Sequence, residues 1–535
     1  CAKYIVASEE EGGKGFNTAA IPSKTRCMTD PVPPPYDVIV IGGGINGAGV
    51  ARDAAGRGAR VLLLEAGDLA QGTSSASTKL IHGGLRYLEH YEFGLVREAL
   101  KEREILWGIA PHVIRPLRFV LPYRDGLRPR WLLRLGLFLY DHIGGRRKLP
   151  ATRSVDLRRH AAGAPLQPQY VHGFEYSDGW VDDARLVLLN ARDAADRGAR
   201  VRTRMHADLM RVENGLWVVE ATGEGGRAYR FTGRSLVNAA GPAVLDVLHR
   251  ASAPPDYKMR LVRGSHIVVP KLFDHPYAYF FQLPDGRIFF AIPYERDFTL
   301  IGTTDQDHDG PLADVHASAE EIAYLCEGAN LYFRTAITPA DVVWTYSGVR
   351  PLVEDGSGRP EAATRGYRID LDCDEGAPLL TIYGGKITSY RHVAEHAVDE
   401  LAAHVEALSG RRWTGKAPLP GGDFATDGAA ALVAEYKLAH PFLPAATVER
   451  ITRAYGTDAR RWLGDAGDWD ALGGEIAHGL SAAECEWMCA KEWAQSPPDI
   501  LWRRSKLGLL FGENDVHRLA AWLDARRGAA PMPVD

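Results

Sequence analysis

The chain has 535 residues, 46% of them apolar and 24% charged, and its 68 acidic against 63 basic side chains leave a formal charge of −5. That composition belongs to a folded protein with a large core. It excludes a disordered chain, a collagen and a polybasic arm, so no nucleic-acid partner is expected. At about 150 residues per domain the length points to two to four domains, whose segments can interleave. The longest run free of Asp, Glu, Lys, Arg and His, residues 38–51, is shorter than the roughly 18 residues that suggest a spanning helix.

Residues 1–27 contain no Met, no apolar core and no cleavage-site pattern, and Met28 reads as a plausible start. Residues 1–35 are therefore expected to be a flexible or artefactual N-terminal extension. The six cysteines, at 1, 27, 326, 373, 485 and 489, show no disulfide framework spacing, which points to a reducing cytoplasm. Cys485 and Cys489 lie one helical turn apart but have no second ligand pair nearby. They read as buried helical cysteines, and no metal is expected.

After the prolines at 31 and 33–35, a β-branched run over residues 36–41 feeds into Gly42, Gly43, Gly44, Ile45, Asn46 and Gly47, then into a helix-forming stretch stopped by Gly58. Gly42 allows the tight turn, Gly44 lets backbone approach a pyrophosphate, and Gly47 lets the helix pack closely on the strand. A second strand, residues 60–64, ends at Glu65, the place for an acid that accepts both ribose hydroxyls and disfavours a 2′-phosphate. Strand, turn, helix, strand and acid together predict a site for FAD or NAD. The hydroxyl-rich stretch over residues 67–84 stands where an NAD enzyme would begin its next helix, and it can wrap an extended cofactor.

Further along, residues 128–140 form a short apolar stretch bracketed by Arg124, Arg128 and Arg130 before it and by Arg146, Arg147 and Lys148 after it. It suits a helix lying in a bilayer interface, and equally a core helix with snorkelling ends. Residues 51–61 recur at 191–201 with one substitution, Gly56 against Asp196, and predict two αβ units of one sheet. Residues 237–242 read as a strand end whose small residues admit close approach. Residues 263–270 and 280–293 are rich in β-branched and aromatic residues around a Pro-Asp-Gly hairpin signal at 284–286, which suits an antiparallel sheet. From residue 417 the composition turns to Ala, Leu, Glu, Arg and Trp, predicting a helical domain whose tryptophans are core rather than a cofactor box.

The fingerprint, the run Ser77-Thr78-Lys79-Leu80-Ile81-His82-Gly83-Gly84-Leu85-Arg86-Tyr87, and the segments at 262–266, 301–305, 346–351 and 383–388 resemble the respiratory FAD-dependent glycerol-3-phosphate dehydrogenases, from about residue 36 to the C-terminus. The resemblance implies an α/β fold: a glutathione-reductase-like FAD-binding domain interleaved with a D-amino-acid-oxidase-like antiparallel substrate domain over residues 36–416, and an α-helical C-terminal domain over 417–535. It implies FAD held by Gly42, Gly44, Asn46, Gly47, Glu65, Ser74, Ser77, Thr78, Lys79, His82, Gly83, Gly84, Ala240, Gly241, Lys386 and Thr388. It also implies a membrane quinone as electron acceptor. The segment near 128–148 is then expected at the membrane surface, and the protein bound peripherally to the inner face of the cell membrane. A homodimer stays an open option.

Oxidising a secondary alcohol needs a proton acceptor, alignment and a field of charge, and a phosphate on the substrate demands cations, arginine forks above all. Arg86, Arg350, Arg365 and Lys386 match the family's substrate and flavin region, Tyr87 adds a hydroxyl, and too few anions accompany the cations for all to be surface pairs. His266 in its Gly-Ser-His stretch is the expected base, with His82 second, because imidazole accepts a proton best near working pH. His266, Arg350 and Lys386 are the expected catalytic residues. The implied reaction is sn-glycerol 3-phosphate to dihydroxyacetone phosphate, with an oxygen-using, peroxide-forming oxidase as the alternative.

Overall fold

The computed structural model describes residues 34–85, 92–124, 128–145, 149–283, 285–354 and 366–529. Most of the expected N-terminal extension, and Arg86, Tyr87, Arg146, Arg147, Lys148 and Arg365, lie outside these residues.

The chain opens on β1 (Tyr36–Ile41), whose Val38, Ile39 and Val40 are fully buried, as an interior parallel strand covered on both faces requires. It continues through α1 (Ile45–Gly56), β2 (Val61–Leu64), β3 (Leu80–Ile81), α2 (Phe93–Ile109), β4 (Ile114–Pro122) and α3 (Arg130–Ile143). Then follow β5 (Arg153–Asp156), β6 (His172–Val181), α4 (Asp183–Asp196), β7 (Arg200–Arg202), β8 (His206–Glu213), β9 (Leu216–Thr222), β10 (Ala228–Asn238) and α5 (Val244–Arg250). The next segment is β11 (Met259–Pro270), β12 (Ala278–Gln282), β13 (Ile288–Tyr294), β14 (Phe298–Gly302), β15 (Gln306–Asp307), α6 (Ala319–Asn330), β16 (Trp344–Val353), β17 (Tyr367–Asp372), β18 (Leu379–Gly384) and α7 (Tyr390–Leu401).

One sheet has the order β17-β18-β10-β1-β2-β7, with β8 and β9 branching from β10. Its centre, from β18 to β7, is parallel. The near-repeat occupies equivalent places in it: α1 and α4 pack side by side, β2 pairs with β7, and each helix ends on a left-handed glycine, Gly58 at φ +104° and Gly198 at φ +96°. The copies also bond each other, Arg52 Nε donating to Asp193 Oδ2 at 2.6 Å, both side chains buried.

The second sheet, β15-β11-β14-β13-β12-β4-β6-β3 with β16 on β11 and β5 on β6, is antiparallel except where β12 meets β4. Asp285 and Gly286 of the hairpin signal lie between the paired β12 and β13, with Gly286 at φ +81°, while Pro284 lies outside the described residues. The two sheets are interleaved in sequence, so the chain crosses repeatedly from one to the other.

A separate core forms within α8 (Ala429–Ala439), α9 (Ala445–Tyr455), α10 (Arg460–Leu463), α11 (Ala482–Glu492) and α12 (Glu513–Ala529). A small hairpin of β19 (Glu475–Ala477) and β20 (Leu480–Ser481), which composition does not announce, inserts before α11. Trp487 is in this core, Trp462, Trp469, Trp502 and Trp522 pack against it, and Cys485 is fully buried beside half-buried Cys489 on α11. The helical domain is fastened to the sheets by ion pairs: Arg185 to Glu492 at 2.5 Å, both wholly buried, Arg192 to Asp458 at 2.8 Å, Arg204 to Asp499 at 2.6 Å and Arg504 to Asp68 at 2.8 Å.

Candidate functional site

At the end of β1 the backbone turns at Gly42, φ +108°, where a Cβ would lie 2.6 Å from the Ala239 carbonyl oxygen. A Cβ on Gly47 would overlap the Gly42 carbonyl, whereas one on Gly44 would meet only Ser74 Oγ at 3.1 Å. The first two glycines therefore close the turn, and Gly44 keeps its outer face open. The N-terminus of α1 points its amides there, Ile45 N donating to Ser74 Oγ at 3.0 Å. Glu65, at the end of β2, accepts Gly43 N at 2.6 Å and Gly67 N at 2.7 Å, while burial pushes its carboxyl up from the ordinary range. Asn46 Nδ2 donates to Gly384 O at 3.1 Å, and its buried Oδ1 has no partner.

Open glycine backbone at a helix N-terminus, an acid at the strand end and an unsatisfied amide oxygen match the donor and acceptor needs of FAD, so the cradle fits that cofactor. Substituting Gly47 by Ala forces backbone against backbone. The purified variant is expected to be colourless or nearly so, with its flavin-to-protein absorbance ratio reduced at least about 10-fold.

The wrapping stretch is anchored mainly by Asp183, the first residue of α4. Ser77 donates to Asp183 Oδ2 from its hydroxyl at 2.7 Å and its amide at 3.2 Å, and Lys79 Nζ reaches Asp183 Oδ1 at 2.8 Å and Ser75 O at 3.0 Å. Lys79 is completely buried, and that burial lowers its ammonium from the usual range. The side chains of Ser77 and Lys79 thus fasten the loop to α4. His82 N donates to Thr388 Oγ1 at 3.3 Å, and Gly83 N donates to the Tyr140 hydroxyl at 2.8 Å, which itself donates to Asp178. Ala240 N donates to Asn238 Oδ1 at 3.3 Å, and Gly241 and Gly84 adopt positive φ, +58° and +73°.

Beyond this loop two side chains occupy spaces that glycines leave open. A Cβ on Gly302 of β14 would run into the His266 ring, and one on Gly264 of β11 would run into the Arg350 guanidinium. His266 is buried and stacked on Tyr346, ring centroids 4.7 Å apart. Its Nε2 is 2.9 Å from Thr78 Oγ1, and its Nδ1 is buried without a partner. Burial first, then the positive charges of Arg350 and Lys79, holds this imidazole well below 6.5, hence neutral.

Arg350 on β16 pairs with Asp305 and donates to Thr303 Oγ1 at 2.9 Å, its side chain about one third exposed. The scarcity of anions expected around the cations therefore does not hold at Arg350, because the turn after β14 supplies one. Lys386 is half-buried in the segment after β18, four residues from α7. Thr73 Oγ1 donates to Val349 O at 2.6 Å, which presses β16 and its arginine against the cofactor loop.

Several members of this arrangement carry no motif. Glu321 of α6 accepts Ser265 Oγ at 2.9 Å and Thr304 Oγ1 at 2.6 Å and pairs with Arg263 at 3.0 Å, locking β11 to the turn that holds Arg350. Asp183 is equally silent in sequence, and Tyr140 ends the 128–140 stretch without a role there. Tyr346, Thr303 and Asp305 lie inside segments that sequence singles out, without roles.

The family model described as FAD dependent oxidoreductase matches residues 37–391, and that of the C-terminal domain of alpha-glycerophosphate oxidase matches 412–525. The D-erythritol 1-phosphate dehydrogenase of Brucella abortus is 49% identical, over 92% of this chain and 98% of that protein. The aerobic glycerol-3-phosphate dehydrogenase of Escherichia coli is 47% identical, over 91% and 97%. The crystal structure of the Bacillus halodurans glycerol-3-phosphate dehydrogenase complexed with FAD superposes with a TM-score of 0.75 at 27% identity, over 93% and 91%.

Proposed function

The chain belongs to the FAD-dependent oxidoreductases, among the glycerol-3-phosphate dehydrogenases, and from that premise we propose that it oxidises sn-glycerol 3-phosphate to dihydroxyacetone phosphate and delivers the electrons to a membrane quinone. The observation that carries this reading is the pairing of a buried neutral imidazole, His266, with an arginine fork, Arg350, in glycine-made spaces on adjoining strands beside the cofactor loop.

Bound FAD supplies the acceptor for the electron pair released from the alcohol carbon. Arg350 binds the phosphate and shares its guanidinium with Asp305. Phosphate on Arg350 also cancels part of the positive field that depresses His266, so substrate binding raises the basicity of the imidazole at the moment it must accept the hydroxyl proton. Lys386 adds positive charge from the segment after β18. Arg86, Tyr87 and Arg365 complete the substrate set in this reading. Replacing Arg350 by Ala is expected to raise KM for glycerol 3-phosphate about 10- to 100-fold, the value of one charge-assisted fork, while leaving the slow oxidation of glycerol unchanged. Equal discrimination between the two alcohols before and after substitution would remove Arg350 from phosphate recognition.

The name of the 49% identical relative favours a second substrate, D-erythritol 1-phosphate. Anaerobic titration of the yellow protein with each polyol phosphate, followed by a soluble quinone or oxygen, tests both. Bleaching by glycerol 3-phosphate reversed quickly by quinone supports the main reading. Bleaching by the tetritol phosphate alone reassigns the substrate, and fast reoxidation by oxygen with peroxide makes the enzyme an oxidase.

No helix among the described residues is long and apolar enough to cross a membrane. The quinone is reached instead through α3, which buries Leu137 and Tyr140 and exposes Trp131, Leu135, Phe138 and Leu139. A helix with such a face lies in the headgroup region, cations around it on anionic lipid, and the protein is peripheral on the inner face of the membrane. Trp131→Glu with Phe138→Glu is expected to weaken cosedimentation with phosphatidylglycerol-containing vesicles at least about 10-fold and to leave anaerobic bleaching intact.

A further inference from the structure

Ser265 of β11 stands between Gly264, which makes room for Arg350, and His266, so its own side chain points to the opposite face of the sheet. There α6 begins, and Glu321 in its first turn, 3% exposed, gathers four partners. Its Oε1 accepts Ser265 Oγ at 2.9 Å and Thr304 Oγ1 at 2.6 Å, and its Oε2 accepts Ser318 N at 3.0 Å and pairs with Arg263 at 3.0 Å. The hydroxyls are joined further: Ser265 N donates to Thr304 Oγ1 at 2.9 Å, and the Ser265 and Ser347 hydroxyls are 2.8 Å apart.

Three members of this knot are chain neighbours of groups in the site. Ser265 adjoins His266, Thr304 lies between Thr303 and Asp305, the two side chains that hold Arg350, and Ser347 follows Tyr346, on which His266 stacks. The segments that carry the base, the fork's anchors and the stacking ring are thus tied to one buried carboxylate. Further along α6 the contact changes in kind: Leu325, Cys326 and Ala329 share an apolar core with Ile267, Val269 and Ile301. Apolar packing would serve stability as well at the first turn, because burying a charge costs desolvation. What a knot with every side-chain oxygen of Glu321, Ser265 and Thr304 bonded adds is one fixed geometry.

We propose that Glu321 is a positioning residue for the oxidation: acting through Ser265 and Thr304, it fixes the distance between the His266 imidazole and the Arg350 guanidinium, and so matches the site to one spacing of phosphate and oxidisable hydroxyl. This role rests on the reading of His266 as the base and Arg350 as the phosphate fork. A substrate that engages both groups at once senses their spacing, whereas an alcohol without a phosphate engages only the imidazole.

Thr304 separates positioning from packing. Thr304→Val keeps the shape and removes the hydroxyl that Glu321 and Ser265 share, whereas Thr304→Ser keeps the hydroxyl and removes a methyl. In the full-length, FAD-loaded protein, kcat/KM for glycerol 3-phosphate is expected to fall about 10- to 100-fold in Thr304→Val and in Glu321→Gln, the cost of a misplacement of up to about 1 Å. For glycerol, which has no phosphate to bridge the two groups, kcat/KM is expected to stay within about 3-fold, and Thr304→Ser to stay within about 3-fold on both alcohols. Equal losses on both alcohols overturn the role, as does a Val variant that works like the natural protein while the Ser variant fails. Where Glu321→Gln does not fold, the two Thr304 variants carry the comparison, and D-erythritol 1-phosphate with erythritol replaces the glycerol pair where titration reassigns the substrate. Arg350→Ala in the same assay tests the premise. Unchanged discrimination there removes the phosphate fork, whereas changed discrimination there with none in Thr304→Val removes the positioning role alone.

Discussion

His266→Ala is expected to retain its yellow colour and to bleach with substrate about 10²- to 10⁴-fold more slowly, the usual worth of a positioned general base. The cofactor should stay because the cradle at Gly42, Gly44 and Gly47 and the anchoring of Ser77 and Lys79 on Asp183 do not pass through the imidazole. The pH profile adds a second expected result. Its folded-state pKa lies well below 6.5, so the base form persists as pH falls through 6.5, and the bleaching rate should show no loss from His266 between about pH 8 and 6.5. The sign for stability is the opposite. Unfolded chains take up this proton as pH falls below about 6.5 while the folded protein does not, so His266 lowers folding stability progressively on the acid side. Bleaching kinetics unchanged in His266→Ala, with loss in His82→Ala instead, would transfer the role of base to His82, whose amide is tied to Thr388 and whose ring meets Phe290 edge-on.

Glu492→Leu is expected to have the largest effect on stability. Glu492 and Arg185 are both without measurable exposure, the Arg185 guanidinium lies 4.7 Å from the centre of the Tyr455 ring, and its Nε and one terminal nitrogen already have no partner. Removing the carboxylate strands a buried cation, which costs about 3–5 kcal/mol, whereas removing both charges costs much less. Arg185→Met with Glu492→Leu should therefore be more stable than Glu492→Leu alone, and the melting temperatures of the four proteins in that cycle measure the coupling. Equal melting temperatures for Glu492→Leu and the natural protein would show that the pair contributes nothing.

Much of the fold is legible from local signals because each depends on few residues. The β1–α1–β2 unit follows from β-branched residues, three glycines and Glu65, and the near-repeat at 191–201 identifies its neighbour in the same sheet. The helical composition after residue 417 likewise announces α8 to α12, while β19 and β20, three and two residues long, carry too little pattern to be seen. At the site, the glycines are readable for themselves, but what they make room for is not: nothing in the sequence says that Gly302 exists for His266 or Gly264 for Arg350. Glu321, Asp183 and Tyr140 act through contacts with residues 56, 106 and 57 positions away, and a lone acid or tyrosine on a helix has no spacing to betray such a partner. Lys79 shows the converse. Its motif suggested a cofactor contact, and only the fold reveals an ammonium sealed against Asp183.

The ion pairs between the sheets and the helical domain also bear on how the protein is made. Arg185 is synthesised 307 residues before Glu492, and Asp68 is synthesised 436 residues before Arg504. At ribosomal speeds of about 5–20 residues per second, Arg185 waits roughly 15 to 60 s for its counter-charge. Throughout that interval the nascent sheet must keep these groups hydrated and cannot close around them. Final consolidation of the cofactor-binding half is thereby deferred until the last helices leave the ribosome. A chain that terminates early has not lost an appendage; it has been left with charges that its own interior cannot accept.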